Sequence, residues 1–134
     1  MAGKKQKSDA RFEIAFFEGV LRHAPDFIEA LICLGDLYTK EGYPEKGLRV
    51  DQRLARLRPE DPVILYNLAC SYSLMDELPA ARRTMAAALE IGYDDVEYLL
   101  KDADLRNLLE DGEFRSMLQE WRTKRSARRP QEAA

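Results

Sequence analysis

Apolar residues recur along the chain at spacings of three and four, the period of an amphipathic α-helix. In residues 27–41, five such side chains share one helical face: Ile28, Leu31, Leu34, Leu37 and Tyr38. Two further helical patterns cover residues 44–57 and 79–91. Pro44 and Pro79 lie at their first turns, where the fixed φ angle of proline is suitable. The pattern therefore predicts an all-α chain of consecutive helices.

Capping residues and small residues indicate that these helices form antiparallel pairs. Asp26 and Asp61 precede the first helices of two pairs, and each is predicted to be an N-cap. Small residues occupy equivalent places on the two helices of a pair: Gly35 with Gly47, and Ala69 with Ala81. Because small residues let two backbones approach closely, these positions are predicted to mark the contact within each pair.

The same residue types return after 34 residues. The first block recurs as a second one, with Leu31, Leu34, Gly35 and Tyr38 matched by Leu65, Leu68, Ala69 and Tyr72. The period and the block together resemble the tetratricopeptide repeat. The bulky residue expected in the second helix is Phe17 or Met85 in two units, but Asp51 in the middle unit.

The resemblance implies a right-handed α-solenoid of antiparallel helix pairs, with about two and a half tetratricopeptide-like repeats. A helical C-terminal cap is expected as well, because a solenoid leaves a bare apolar face at its end. The predicted organisation is a flexible basic N-terminus at 1–8, a repeat region at 9–95 divided into a half repeat at 9–25 and repeats at 28–61 and 62–95, a helical cap at 96–125, and a flexible tail at 126–134.

The helical pattern of residues 9–24 carries more apolar side chains than one helical face can bury, including Phe12 and Phe16. In one interpretation, this wide face wraps around the first full pair, and Phe12 or Phe16 covers its edge. In the other, the two phenylalanines form an exposed patch that pairs with another copy or receives a partner helix. Phe12 and Phe16 are therefore candidates for self-association in a weak homodimer.

Composition and charge narrow the functional class. The chain of 134 residues is 46% hydrophobic and 34% charged, as in an ordinary globular domain. No apolar run reaches the roughly 18 residues of a membrane span, and the first residues lack a secretory signal, so a cytoplasmic location without membrane contact is expected. The net charge of −3 is unevenly distributed, because residues 1–7 carry +3, residues 122–134 carry +4, and the body between them carries −10.

The sequence offers little for catalysis. The only histidine, His23, takes the place of Leu57 in the next unit, so it is assigned to packing or to a helix C-terminus. Cys33 and Cys70 have no neighbouring ligand and are predicted to be free thiols. No G-x-S-x-G motif or glycine-rich phosphate loop is present, and the acidic pairs lie in predicted turns and caps. The sequence therefore predicts a non-enzyme with no catalytic residues, cofactor or metal site.

In tetratricopeptide-like stacks the first helices line a concave face, which supplies the peptide-groove candidates: Glu29, Ile32, Asp36, Thr39, Lys40, Val63, Tyr66, Asn67, Cys70, Ser73 and Lys101. Tyr66 and Asn67 suit an extended peptide, because the ring offers contact area and the amide bonds backbone donors and acceptors. The alternative is that both are solvated helix positions. Some family members hold a C-terminal carboxylate here with basic residues and asparagines. Asn67 and Lys101 match that pattern, but the other places hold Ile32, Asp36 and Glu97, which favours a neutral or basic peptide.

The C-terminal segment from Arg122 to Arg129 holds five positive charges in eight residues and no acid. Such a segment is typical of an arm that contacts nucleic acid, although no aromatic residue follows Trp121 to stack on bases. It is alternatively a solvated tail, or an arm that lies in the acidic body of another copy. The sequence therefore predicts a non-catalytic protein–protein interaction module that binds a protein or peptide partner. A nucleic-acid-associated adaptor that uses this arm is the alternative.

Overall fold

The computed structural model describes the backbone of residues 2–133 and the side chains of residues 9–127. Its helices are α1 (Ala2–His23), α2 (Ile28–Lys40), α3 (Pro44–Leu57), α4 (Pro62–Leu74), α5 (Leu78–Glu90), α6 (Val96–Lys101), α7 (Arg106–Leu109) and α8 (Gly112–Ala133), with a 3₁₀ turn at Ala103–Leu105. No strand occurs in this part of the chain, and α2 pairs with α3 as α4 does with α5. The predicted all-α solenoid is confirmed. Over the same residues, no helix has both the length and the apolar character needed to cross a membrane.

The 34-residue period is visible in where the helices begin. The helices α2, α4 and α6 begin at Ile28, Pro62 and Val96, and the helices α3, α5 and α8 begin at Pro44, Leu78 and Gly112. Each series advances by 34 residues. The register of the repeats thus continues into the predicted cap, where α6, the 3₁₀ turn and α7 replace a single first helix.

The turns that end the first helices repeat with the same period. Gly42 follows α2 with a φ of 86°, and Asp76, 34 residues later, follows α4 with a φ of 56°. Aspartate is one of the few residues with a side chain that adopts this left-handed conformation. Tyr43 N donates to Tyr38 O over 2.8 Å, and the corresponding bond in the next unit measures 2.9 Å. The same hydrogen-bonded turn therefore closes both helices.

The predicted N-caps are correct for one helix and wrong for the other. Asp61 caps α4, and its carboxylate accepts from the backbone N–H groups of Val63 and Ile64 at 3.0 and 3.2 Å. The residue 34 positions before Asp61 is Phe27, which caps α2 without a side-chain hydrogen bond. Asp26 lies one residue too early to reach the helix end, and it forms an ion pair with Arg53 of α3 instead.

The cap contributes much of the largest hydrophobic core. Leu99 of α6, Leu105 of the 3₁₀ turn, Leu108 of α7 and Phe114 of α8 are fully buried against α4 and α5, together with Met85. These side chains cover the apolar end of the second repeat, as a solenoid cap is expected to do. In the middle unit, the position equivalent to Met85 is taken by a buried carboxylate, that of Asp51.

The terminal helices are longer than the sequence predicts. Helix α1 begins at Ala2 rather than near residue 9, and α8 continues to Ala133 rather than ending at residue 125. Alanine, lysine, arginine and glutamine, which are good helix formers, supply most of both extensions. The flexibility expected for 1–8 and 126–134 stays a prediction, and the end residues Met1 and Ala134 lie outside the described part of the chain.

Helices α2 and α3 approach closely at the two predicted glycines. A Cβ added to Gly35 would lie 3.0 Å from Asp51 Oδ1 and 3.2 Å from Val50 Cγ1. A Cβ added to Gly47 would lie 2.7 Å from Thr39 Oγ1 and 3.5 Å from the carbonyl oxygen of Gly35. The absence of a side chain at these positions is therefore what allows the two helices to pack at this distance.

Substitution of Gly35 by leucine is expected to lower the free energy of unfolding by about 1–3 kcal/mol, because the larger side chain overpacks this contact. Urea unfolding followed by circular dichroism measures the change. Gly112→Leu is the matched control, since no atom lies within 4 Å of a Cβ added there. Equal losses of stability in the two variants would contradict the prediction.

Candidate functional site

A groove of about 770 Å³ lies between the first helices α2 and α4 and the segment from Gly92 to Asp104. Seven of the predicted groove positions line it: Ile32, Asp36, Thr39, Val63, Tyr66, Asn67 and Cys70. Glu29, Lys40 and Lys101 are exposed but do not line it, and Lys40 pairs with Asp36 at 3.0 Å on the same helix. Asn67 and Lys101 are the two residues that match the carboxylate-binding pattern of some tetratricopeptide repeats. Only Asn67 lines this groove, so the structure does not bring the two together there.

Tyr66 forms the floor of the groove instead of offering an exposed ring. Its side chain is only 4% exposed, its hydroxyl donates to Asp102 Oδ2 over 2.6 Å, and its ring stacks on that of Tyr93 with centroids 4.3 Å apart. Burial, followed by the bond to Asp102, raises the pKa of Tyr66 above its ordinary value, so the hydroxyl stays a donor. The prediction of Tyr66 as an exposed peptide contact is therefore wrong, because the cap segment folds over it.

Asp102 connects helix α4 to the cap. Besides the bond from Tyr66, its Oδ2 lies 3.7 Å from the thiol of Cys70, and its Oδ1 accepts from Asp104 N at 3.0 Å. Burial, followed by the charge of Asp102, raises the pKa of Cys70, which keeps the thiol protonated. Cys70 is also buried, so it supports the groove and offers a ligand little surface.

Ser73 is the second predicted groove residue that the structure relocates. It is fully buried, and its hydroxyl oxygen accepts from the backbone N–H of Leu108 at 3.1 Å. Its carbonyl oxygen accepts from Asn107 Nδ2 at 3.0 Å. Ser73 therefore fixes α7 against α4, and it has no surface left for a peptide.

The groove surface available to a ligand is partly apolar. Three apolar or aromatic side chains of its lining, Ile32, Val63 and Tyr98, are 43%, 56% and 56% exposed. Asn67, which also lines the groove, is exposed as well. Tyr98 is not among the candidates that the sequence pattern identifies. The 34-residue period could have identified it, because Val96, where α6 begins, lies 34 residues after Pro62, where α4 begins. Residues 96–101 thus take the place of a further first helix, and first helices line the groove.

The groove is strongly acidic. Six aspartates line it, and its lining contains no lysine, arginine or histidine: Asp36, Asp51, Asp94, Asp95, Asp102 and Asp104. Burial, followed by the charge of Asp102, raises the pKa of Asp104. The pKa rises because both influences disfavour the ionised carboxylate and no cation of the groove lining opposes them. The sequence pattern places Asp94, Asp95, Asp102 and Asp104 in turns and caps. In the structure, those turns form one wall of the groove.

Asp51 lies beneath the groove, between α2 and α4. It is 7% exposed, and Ser71 of α4 donates its hydroxyl hydrogen bond to the carboxylate. Burial raises the pKa of Asp51 to about 7, although the bond from Ser71 opposes the shift. Both partners are buried, so this bond connects α3 to α4 beneath the groove.

Two other sequence candidates lie away from the groove. Phe12 and Phe16 of α1 are 73% and 56% exposed, and Phe16 packs edge-on against Phe17 with centroids 5.2 Å apart. They do not cover the first full pair in this chain. In the part of the chain with described side chains, no three His, Cys, Asp or Glu residues are arranged to hold a metal ion.

Two solved structures of MamA are similar to this chain. Both are 26% identical to it with a TM-score of 0.63, and the matches cover 73% and 74% of this chain. The chain has a helical repeat fold similar to that of MamA. It spans 58% and 55% of the two MamA chains, and no family model and no curated protein matches its sequence. Because MamA is a TPR-like helical protein, the similarity suggests a tetratricopeptide-like fold here.

Removal of the Tyr66 hydroxyl tests the connection between α4 and the cap. Tyr66→Phe is expected to lower the free energy of unfolding by about 1–3 kcal/mol, because it leaves Asp102 without its shortest hydrogen bond. Tyr98→Phe is the control, as that ring is largely exposed, and a change within about 0.5 kcal/mol is expected. Urea titration of the three proteins measures both values, and an unchanged Tyr66→Phe variant would show that the bond contributes nothing.

The pKa of Asp51 predicts a pH-dependent stability. The folded protein holds this proton up to about pH 7, whereas the unfolded chain releases it near the ordinary aspartate pKa of 3.8. Wild-type stability should therefore fall relative to Asp51→Asn between pH 4 and 7, by up to about 4 kcal/mol in total. Unfolding by urea across this range measures the difference. Asp76→Asn, at an exposed turn, is the control, and a pH-independent difference for Asp51→Asn would refute the assignment.

Proposed function

We propose that this chain is a non-catalytic interaction scaffold that binds a peptide or helix of a protein partner in the groove between α2, α4 and α6. One observation carries the proposal: exposed apolar side chains and six carboxylates share a single groove. The similarity to MamA, a TPR-like helical protein, supports a scaffold role. Since the chain covers little more than half of MamA, its partner is argued from its own residues.

The groove is suited to binding because its floor is held in place. The Tyr66 ring is stacked on Tyr93 and bonded to Asp102, while Ser73 holds α7 against α4. A rigid receptor loses little conformational freedom when a ligand is bound, so more of the contact energy appears as affinity. Tyr66 and Cys70 therefore act in this proposal by supporting the surface, while exposed neighbours make the contacts.

The exposed groove residues specify a partner of mixed chemistry. Ile32, Val63 and Tyr98 offer apolar area, and the Asn67 amide both donates and accepts hydrogen bonds. The aspartates repel acidic segments and attract lysine or arginine, which extends the sequence expectation of a neutral or basic peptide toward a basic one. A carboxylate ligand is disfavoured for the same reason.

A nucleic-acid-associated adaptor is the second candidate, and the exposed Arg122 and Lys124 favour it. Two observations weigh against it. Trp121 packs against the core with the Arg125 guanidinium 5.1 Å from its ring centroid, so it is poorly placed to stack on a base. The acidic groove would also repel phosphates. We therefore favour the protein partner.

Phe12 and Phe16 are a separate proposed contact for weak self-association. Their exposure leaves an apolar patch on α1 that the rest of this chain does not cover. This contact would operate independently of the groove.

Truncation of the exposed groove side chains tests the proposed function. Short peptides are first selected against the full chain from a random displayed library, and their affinities are measured by fluorescence anisotropy. The variant Ile32→Ser with Tyr98→Ala is expected to weaken the selected peptides about tenfold or more, because it removes apolar contacts from the groove. Ile91→Ser with Tyr43→Ala is the matched control, since those residues are 41% and 49% exposed and lie outside the groove.

Peptides that bind both variants as tightly as the wild type would contradict the groove proposal. Binding of a uridine oligonucleotide at about physiological salt that is lost when residues 122–134 are deleted would favour the nucleic-acid alternative instead.

A further inference from the structure

The groove carries negative charge that this chain does not neutralise from within. Asp36 pairs with Lys40 at the edge, but no ion pair is formed by the other five lining aspartates within the described part of the chain. Carboxylates placed together in a partly buried groove repel each other more strongly than in bulk water. A cationic ligand would relieve this repulsion, which makes the charge of the ligand the first requirement.

The basic arm, residues 122–129, has the complementary charge. The exposed side chains of Arg122 and Lys124 make no ion pair with any residue whose side chain is described. Helix α8 continues through the arm to Ala133. At 3.6 residues per turn, the three cations of the arm whose side chains are described, Arg122, Lys124 and Arg125, fall within an arc of about 160°, while Thr123, Ser126 and Ala127 occupy the other side. This part of the arm thus presents one basic face.

We propose that the basic arm of one molecule docks in the acidic groove of a second copy of the chain. This inference rests on the proposed function, because it requires the groove to be a binding site for a peptide or helix. A helix that lays one face into a groove is a common form of peptide recognition. Here the recognition is chiefly electrostatic, with Tyr98 and Ile32 available to pack against the aliphatic stems of arginine and lysine.

A second molecule is the proposed recipient because the contacts of α8 with the core end before the arm begins. Contacts of α8 with the core are made by Phe114, Met117, Leu118 and Trp121, and all of them precede the arm. From Trp121 the helix extends about 18 Å further. None of the described arm residues at 122–127 lines the groove of the same chain, so that groove is open to the arm of a neighbour.

Other basic groups of the chain are less suited to the groove. On α3, Lys46 lies over the rings of Tyr38 and Tyr43, and Arg53 pairs with Asp26. These cations belong to a packed helix that cannot enter a groove. Lys4, Lys5 and Lys7 near the N-terminus are a further cluster, with three charges against five in the arm, and they serve as the comparison in the experiment.

The contact joins two different surfaces, so each molecule keeps a free arm and a free groove after pairing. Such head-to-tail contacts produce chains or closed rings rather than only symmetric dimers. Since exposed charge pairs are screened within about 10 Å at 0.1 M salt, assembly should depend steeply on ionic strength.

Sedimentation velocity of the full chain tests the proposal. We expect dimers or larger species at about 10 mM salt and monomers at about 1 M salt. Arg122→Glu with Lys124→Glu and Arg128→Glu, and separately Asp36→Lys with Asp94→Lys, should each weaken association about tenfold or more. The matched controls are Lys4→Glu with Lys5→Glu and Lys7→Glu for the arm, and Glu60→Lys with Glu90→Lys for the groove. Both controls should associate like the wild type.

Mixing the two charge variants is the sharper measurement. Each alone has lost much of its charge complementarity, because the arm variant has three acids and two arginines in its arm, and the groove variant has two lysines beside four aspartates in its groove. Each should therefore be monomeric. In the mixture, the unchanged basic arm of the groove variant meets the unchanged acidic groove of the arm variant. We expect association to return, and circular dichroism should show all variants folded.

Three outcomes would overturn the proposal: a wild type that stays monomeric at low salt, a mixture that does not associate, or association lost equally in the N-terminal control. Association lost in Phe12→Glu with Phe16→Glu but kept in the arm variant would also overturn it, in favour of the patch on α1. If the chain does not self-associate through its arm while library peptides still bind the groove, this inference is wrong and the proposed function stands. If the chain does not self-associate and no peptide binds the groove, both are wrong.

Discussion

The close contact of α2 and α3 at Gly35 and Gly47 is the constraint on which the groove depends. It leaves space for a carboxylate at Asp51, where the other units place a bulky side chain. Asp51 then receives a hydrogen bond from Ser71 and so ties the first pair to α4. Helices α2 and α4, which form one side of the groove, are thereby connected through α3: a glycine contact joins α2 to α3, and a buried hydrogen bond joins α3 to α4. A larger side chain at either glycine would push α2 away from α3.

The opposite wall depends on a second polar anchor, Asp102. Its bonds from Tyr66 and Cys70 hold the segment after α6 against α4, while Ser73 binds α7 from below. Because α6 begins in register with α2 and α4, the cap does more than cover an apolar end. It replaces a first helix with shorter pieces, and their turns bring Asp94, Asp95 and Asp104 to the groove.

Much of the architecture follows from local patterns in the sequence, since spacing and the 34-residue period identify α2 to α5 and the glycine contact. The same patterns locate Ile32, Asp36 and Asn67 on the groove side, because helical periodicity defines a face. They cannot reveal what covers that face. Tyr66 and Ser73 are buried by residues more than 30 positions away, and Asp26 is drawn to Arg53, which lies 27 positions away. Those contacts arise from tertiary packing and leave no local signal.

The charges of the groove connect folding with binding. Asp51 is buried at a cost that grows as it loses its proton, and the charge of Asp36 adds to this cost. A cation bound in the groove would favour the ionised carboxylate, and so would lower the pKa of Asp51 and recover part of the lost stability. Proton release and the proposed binding of a basic segment would then be thermodynamically linked, and by reciprocity such a segment would bind more tightly as the pH rises through 7. The class of ligand proposed for the groove is therefore the one that would relieve most of the cost of its buried carboxylate.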